Sequence, residues 1–369
     1  MVTPVITGLA WDTPLGRDRE AVWERLCAGD SGLAPVDSPH PLRNTHAAVI
    51  ASVPYGTSPG ARQRALAGRA LRSAFADAGL PPTDPEVGLV LGTSFGASLD
   101  EAEPALHTWA DDAAAGIGHP GTPMCVMTAC SAGADALAVA HTLVRSGKRR
   151  VCVAGGADVV TEAKRLGHSA LGTMSPTGLR AFDRAHDGML LGEGAAFIVV
   201  EHPDSARERG ARVYARLRGT GAANDAAGLT APDPSGRAVV RAVERCLASA
   251  GLTCADIAVV NAHGTGTPLN DEVEAHSLRE LFGDGGPLVF ATKGAFGHSL
   301  GATGALEAVA TVLALHHRRV PPVLGLCDPA APLRLATGSP RPVGEGAGLS
   351  LTLGFGGFNT CLLFEGVRA

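Results

Sequence analysis

Aromatic side chains are scarce: three Trp, two Tyr and ten Phe make up 4% of the 369 residues. A core without large rings relies on close approach of backbone layers, and 48 glycines within a chain that is 45% hydrophobic suit that; the composition is that of a globular α/β protein. A dominant charge sign is also missing. Thirty-one Lys and Arg against 36 Asp and Glu leave a net −5, which excludes general nucleic-acid binding, because phosphate neutralisation needs a basic surface or stripe. Long apolar runs are missing too: the most apolar stretch, GATGALEAVATVLAL (301–315), carries Glu307 in its middle and falls short of the roughly 20 residues of a membrane span. The opening MVTPVITGLAWDTPLG lacks the basic head and apolar middle of a signal peptide. No membrane partner is expected, and the expected location is the cytoplasm. Eight cysteines (27, 125, 130, 152, 246, 254, 327, 361) form no C-x-x-C pair and mostly sit in apolar runs, which fits a reducing compartment. Ligand pairs at zinc spacing are likewise missing, so no metal is expected.

What is present is alternation. β-rich runs at 87–94, 150–160, 195–201, 256–264, 287–294 and 349–357 alternate with longer helical patterns, the signature of an α/β fold with buried sheets. Several runs end in Gly/Thr/Ser loops, and in α/β folds the carboxyl ends of strands are where ligands bind. The polar stretch HPDSARERGAR (202–212) divides the chain into an N-terminal half, 1–201, and a C-terminal half, 210–369. The two are weakly alike: TACSAGADALAVAHTLVRSGKRRV and GHSLGATGALEAVATVLALHHRRV each run from a small-residue loop into an apolar helix ending in basic residues and a strand. A duplicated unit follows as an expectation, with two helix mouths facing one site.

Cys130 stands among small residues at one such mouth. A free cysteine often only packs, yet a helix N-terminus also favours a thiolate, which could attack a thioester carbonyl while backbone N–H groups hold the oxyanion. His263 lies in NAHGTGTPLNDEVE, where Gly264, Thr265, Gly266 and Thr267 expose backbone and hydroxyls to a ligand. His298 lies in ATKGAFGHSLGATG, with Lys293 five residues before it and Glu307 nine after. A structural histidine and a helix-capping loop are the plain alternatives. The glycine-rich GEGA (192–195) and GFGG (354–357) match neither a P-loop nor a dinucleotide fingerprint in context, so no nucleotide cofactor is expected.

Together TACSAG, NAHGTGTPLND, TKGAFGHSLGATG and LGFGGFN closely resemble the β-ketoacyl-acyl-carrier-protein synthases (ketosynthases), the condensing enzymes of fatty acid and polyketide assembly. The resemblance covers nearly the whole chain. It implies a thiolase-like, five-layered αβαβα fold made of two similar halves, and a homodimer or a heterodimer with a ketosynthase-like partner. It implies that Cys130 takes an acyl chain from the phosphopantetheine of an acyl carrier protein, and that His263 and His298 promote decarboxylation of a malonyl thioester and steady its enolate. Lys293 and Glu307 fall where the family has a supporting ion pair, Thr265 and Thr267 where it holds the pantetheine arm, and Asp271 and Glu274 where acidic residues organise the histidine loop. Phe355 matches the gating phenylalanine, whose N–H joins that of Cys130 in an oxyanion hole. No bound cofactor is implied.

Where the chain departs from the family, it does so around the acyl pocket. Only 34 positions separate Gly96 from Cys130, a shortened segment that points to a specialised member and unsettles pocket shape and dimer contact. Ala181 and Met189 replace the usual proline and phenylalanine, and Leu353 and Phe358 the usual phenylalanine and threonine; Met189, Leu353 and Phe358 are the expected pocket-shaping changes. A basic cluster, Arg145, Lys148, Arg149 and Arg150, is the expected carrier-protein contact. Two rival readings share these residues: acyl transfer from Cys130 to an alcohol, amine or water, and a non-catalytic partner of chain-length-factor type.

Overall fold

Runs of buried β-formers such as GAAFIVVE and VCVAGGAD form the strands of one large sheet. The computed structural model describes residues 2–102 and 105–367. The sheet's strands are β1 (Val5–Asp12), β2 (Val87–Gly92), β3 (Met124–Val126), β4 (Val151–Asp158), β5 (Gly194–Glu201), β6 (Ala215–Asn224), β7 (Ile257–Asn261), β8 (Leu288–Phe290), β9 (Ala347–Gly354) and β10 (Phe358–Gly366). Their order is β3-β2-β4-β5-β1-β6-β10-β9-β7-β8. The first five strands thus run 3-2-4-5-1 from one edge, and the second five repeat that order from the other. Directions repeat as well: β2 is parallel to β3 and β4 while β5 is antiparallel to β4 and β1, and β7 is parallel to β8 and β9 while β10 is antiparallel to β9 and β6.

Helices separate these two half-sheets. Helix α1 (Pro59–Ala78), capped by Ser58 at its start and left-handed Gly79 at its end, covers the outer face of β1, β4 and β5. Helices α2 (Ala132–Arg145), α3 (Arg237–Ala250), α4 (Pro268–Phe282) and α5 (Thr303–His317) follow. α3, with α4 packed beside it, covers β6 and β10 on the opposite outer face. α2 and α5 pack against each other in the middle, each touching strands of both halves. The five αβαβα layers implied by the resemblance are therefore present.

Small residues make the middle layer fit. A Cβ on Gly133 would lie 2.9 Å from the Gly301 carbonyl oxygen, and one on Gly304 2.8 Å from the Ala134 nitrogen, so the first turns of α2 and α5 meet backbone to backbone. Four residues before each of these glycines the chain makes the same left-handed turn, at Ala129 (φ 51°) and Leu300 (φ 46°). Non-glycine residues enter that region only under tertiary constraint. The duplicated helix mouths thus face each other at the centre of the molecule.

The six strands expected from sequence are present. Four more, β1, β3, β6 and β10, had no such signal. In β6, ARLRGTGAAN, glycines replace β-formers because α3 leaves no room for side chains: a Cβ on Gly221 would lie 2.1 Å from the Ala242 carbonyl oxygen. The polar connection at 202–212 is not slack chain, since Pro203–Glu208 is helical and Arg209 Nε donates to the buried Glu201 carboxylate at 2.8 Å.

Candidate active site

Cys130 sits in a short 3₁₀ turn, Ala129–Ser131, that leads into α2. The turn is fixed by Asp135 one helical turn on, whose carboxylate accepts from the Ser131 hydroxyl at 2.7 Å and from the Thr360 hydroxyl of β10 at 2.6 Å. The cysteine lines a cavity of about 370 Å³ and is only 5% exposed. Burial pushes its thiol up to about 11, against the opposing pull of the Phe355 backbone and of the Lys293 charge. Burial thus acts against the helix mouth, whose dipole favours the thiolate.

His263 follows β7 on a loop whose backbone is held from below. Both oxygens of buried Glu274 accept from that loop, from the N–H of His263 at 2.6 Å and of Gly264 at 2.8 Å. Asp271 accepts from Gly266 N at 3.1 Å and from Phe182 N at 2.7 Å, tying the loop to the 181–189 block. Gly264 and Gly266 take positive φ, and a Cβ on Gly264 would lie 2.9 Å from that of Ala291, so glycine is required there. The hydroxyls of Thr265 and Thr267 lie 2.8 Å apart and both line the cavity.

The proton positions on both imidazoles follow from their partners. Lys293 Nζ, which can only donate, lies 3.2 Å from His263 Nδ1, so Nδ1 accepts and Nε2 carries the proton. Leu300 N–H donates to His298 Nδ1 at 3.3 Å, with the Thr303 hydroxyl 3.0 Å from the same atom, so His298 also carries its proton on Nε2. The rings stand edge to face with centroids 5.3 Å apart. Burial first, then the Lys293 charge, holds both well below the usual histidine range. They are neutral N–H donors at physiological pH. Lys293 donates to Glu307 at 2.5 Å and to the His263 carbonyl oxygen, and both members of the pair are buried.

The expected gate is the tip of the β9–β10 hairpin. Phe355 lines the cavity, and Gly356 and Gly357 take φ of 82° and 78°. The tip is clamped from the neighbouring loop: Gly356 N donates to Leu229 O at 2.8 Å, and Asn224 Nδ2 to Gly356 O at 2.8 Å. Met189 and Leu353 line the cavity. Phe358, expected to do the same, is 38% exposed and outside the lining. Leu353 pairs with Asn359 across the hairpin and both face the cavity, so alternation turns Phe358 to the other face. The basic cluster sits elsewhere: Arg145 ends α2, whose 14 residues place it about 20 Å from the Cys130 end. Sequence reading missed His168, whose ring lies 5.7 Å from that of Phe355 and which stands in no quoted motif, and Thr303, which stands near the end of the GHSLGATG stretch but reads there as one more small residue. Among the described residues, no group of three or more His, Cys, Asp or Glu is placed to hold a metal ion.

A buried thiol at a helix mouth, with two neutral imidazoles on the same cavity of a duplicated αβαβα fold, is the arrangement of a thiol-dependent, acyl-transferring enzyme of thiolase type. Residues 60–206 match the family model of the β-ketoacyl synthase N-terminal domain, and 214–326 that of the C-terminal domain. The chain belongs to the β-ketoacyl synthase family. It is 31% identical to 3-oxoacyl-[acyl-carrier-protein] synthase 2 of Mycobacterium bovis, over 98% of this chain and 96% of that one. It superposes on a β-ketoacyl synthase from Burkholderia phymatum with a TM-score of 0.89 at 30% identity, over 100% of both chains. With the ishigamide ketosynthase/chain length factor the TM-score is 0.92 at 28% identity, again over 100% of both.

Proposed function

We propose that this protein is a β-ketoacyl synthase that acylates Cys130 from an acyl-carrier-protein thioester and then performs a decarboxylative Claisen condensation with a malonyl-carrier protein, in a specialised fatty acid-like or polyketide pathway. The carrying observation is that both histidines of the Cys130 cavity have Nδ1 occupied and Nε2–H free to donate. In the first half-reaction the Cys130 sulfur attacks the acyl carbonyl, the C–S bond to the carrier breaks, and the carrier thiol leaves with the proton. The N–H groups of Cys130 and Phe355 stabilise the transient oxyanion, an effect of about 10²–10³ in rate per donor. In the second, the malonyl C–C bond breaks, carbon dioxide leaves, and its electron pair passes to an enolate whose oxygen accepts from the two Nε2–H groups. The enolate carbon attacks the acyl-Cys130 carbonyl, and the thiolate leaves and is reprotonated.

The hydroxyls of Thr265 and Thr267 suit the pantetheine arm, and Met189 and Leu353 bound the acyl group. The two halves, 1–201 and 210–369, contribute the thiol and the histidines respectively. We further propose a dimer, homomeric or with a ketosynthase-like partner, joined at β3: among the described residues this strand pairs only with β2, so it ends the sheet, and its Met124 is about half exposed, as are Phe95 and Leu99 in the segment that follows β2. A cytoplasmic setting suits its eight free cysteines, and no helix among the described residues is long and apolar enough to cross a membrane. The decisive test is incubation with an acyl thioester and malonyl-carrier protein. Release of carbon dioxide with a 3-ketoacyl product is expected; acyl transfer without either would overturn the condensing reading, and failure to acylate Cys130 would favour a non-catalytic partner.

A further inference from the structure

Lysine is rare in this chain: only 148, 164 and 293 are lysine among 31 basic residues. Two of the three are buried, and each pairs with a buried carboxylate, Lys293 with Glu307 and Lys164 with Asp158. The first pair braces His263. We infer that the second, Asp158 with Lys164, is a positioning pair for His298. This role rests on the condensing function proposed above.

Asp158 ends β4, in the N-terminal half, yet its carboxylate reaches the histidine turn of the C-terminal half. Oδ2 accepts from the backbone N–H of Gly301 at 2.9 Å, from Ser94 N at 3.0 Å and from the Ser94 hydroxyl. Oδ1 accepts from Val159 N at 3.0 Å and from the Lys164 ammonium, which also donates to the Val159 carbonyl at 2.9 Å. One oxygen therefore holds the turn while the other is held by the lysine. The turn needs holding, because Leu300 is left-handed and such a conformation persists only where its surroundings over-determine it. Leu300 is also the residue whose N–H donates to His298 Nδ1, which keeps the ring proton on Nε2. If Gly301 shifts, that donor swings away and either tautomer becomes available. Lysine suits Asp158 better than arginine does, because a compact ammonium satisfies one carboxylate oxygen and one carbonyl where a planar fork would compete for both oxygens.

The test is ¹⁵N NMR of the histidine rings in full-length protein, with the His298 signals assigned by their loss in His298→Gln. In the wild type His298 Nδ1 should show an unprotonated shift and Nε2 a protonated one. Asp158→Asn should give averaged shifts, and with them a fall of about tenfold or more in malonyl-thioester decarboxylation, while iodoacetamide alkylation of Cys130 does not fall, since loss of the Asp158 charge eases ionisation of that thiol. Lys164→Gln keeps a donor beside Asp158, and should move the same readouts in the same direction if Asp158→Asn does not fold. Unchanged tautomers in the folded variants, or decarboxylation and alkylation falling by the same factor, would overturn the assignment. The wild-type tautomer is read without turnover, so an inactive wild type would count against the function and not against the pair.

Discussion

Lys293 Nζ lies 3.2 Å from His263 Nδ1 and 2.5 Å from Glu307, so a single ammonium both sets the tautomer of one histidine and neutralises the carboxylate behind it. The two duties separate by mutation. Lys293→Met leaves Glu307 buried and alone, and should lower the unfolding free energy by about 3–5 kcal/mol in urea titrations. The double variant Lys293→Met/Glu307→Gln should recover most of that stability yet remain about 10²-fold slow in carbon dioxide release. Recovery of both together would show that the ammonium acts on stability only.

Cys130 should behave as a buried thiol until the cavity opens. With its thiol pushed from the ordinary value near 9 up to about 11, the thiolate fraction at neutral pH is reduced about 100-fold. Iodoacetamide alkylation should accordingly rise about tenfold per unit between about pH 7 and pH 10. A plateau already reached near pH 8 would show that the helix mouth lowers the thiol after all. Intact-protein mass spectra should show acylation in the wild type and none in Cys130→Ala.

Gly357 occupies a left-handed position where an added Cβ would lie 2.4 Å from Asp225 Oδ1 and 3.0 Å from Ala226 N. Gly357→Ala should therefore weaken the closed hairpin tip. The expected result is a fall of about tenfold in kcat/KM for the acyl donor with little change in Tm, since the tip lies outside the core. An unaltered kcat/KM would argue against closure at this hairpin.

Charge reversal at Lys148 and Arg149 should leave kcat/KM with carrier-protein substrates within about twofold, because these residues follow the far end of α2 from Cys130. A large, salt-dependent loss would instead mean that the carrier protein reaches round to that face.

The chemistry of the site was legible because it is written in short motifs with unusual composition: a cysteine among alanines, and histidines among glycines and threonines. The duplication was legible in the resemblance of 128–151 to 297–320. What the residues hid was set by tertiary context. β6 reads as a glycine-containing polar stretch, since its sequence answers to α3 and not to strand propensity. The burial that pushes the Cys130 thiol up, against the helix mouth, is a property of the whole fold that no local pattern reveals. Position in its motif points Phe358 at the pocket, and hairpin pairing sends it to the other face. Asp158 joins residues 158 and 301, a contact made by the fold alone.

The matched turns at Ala129 and Leu300 have a consequence for stoichiometry. Counting on from each, the position that holds the thiol in one turn is Gly301 in the other, and there a Cβ would lie 2.2 Å from the Ser94 nitrogen. A second cysteine cannot be accommodated without breaking the contact between the halves. The pair of turns therefore offers a single thiol position, in the N-terminal half, and none in its C-terminal counterpart.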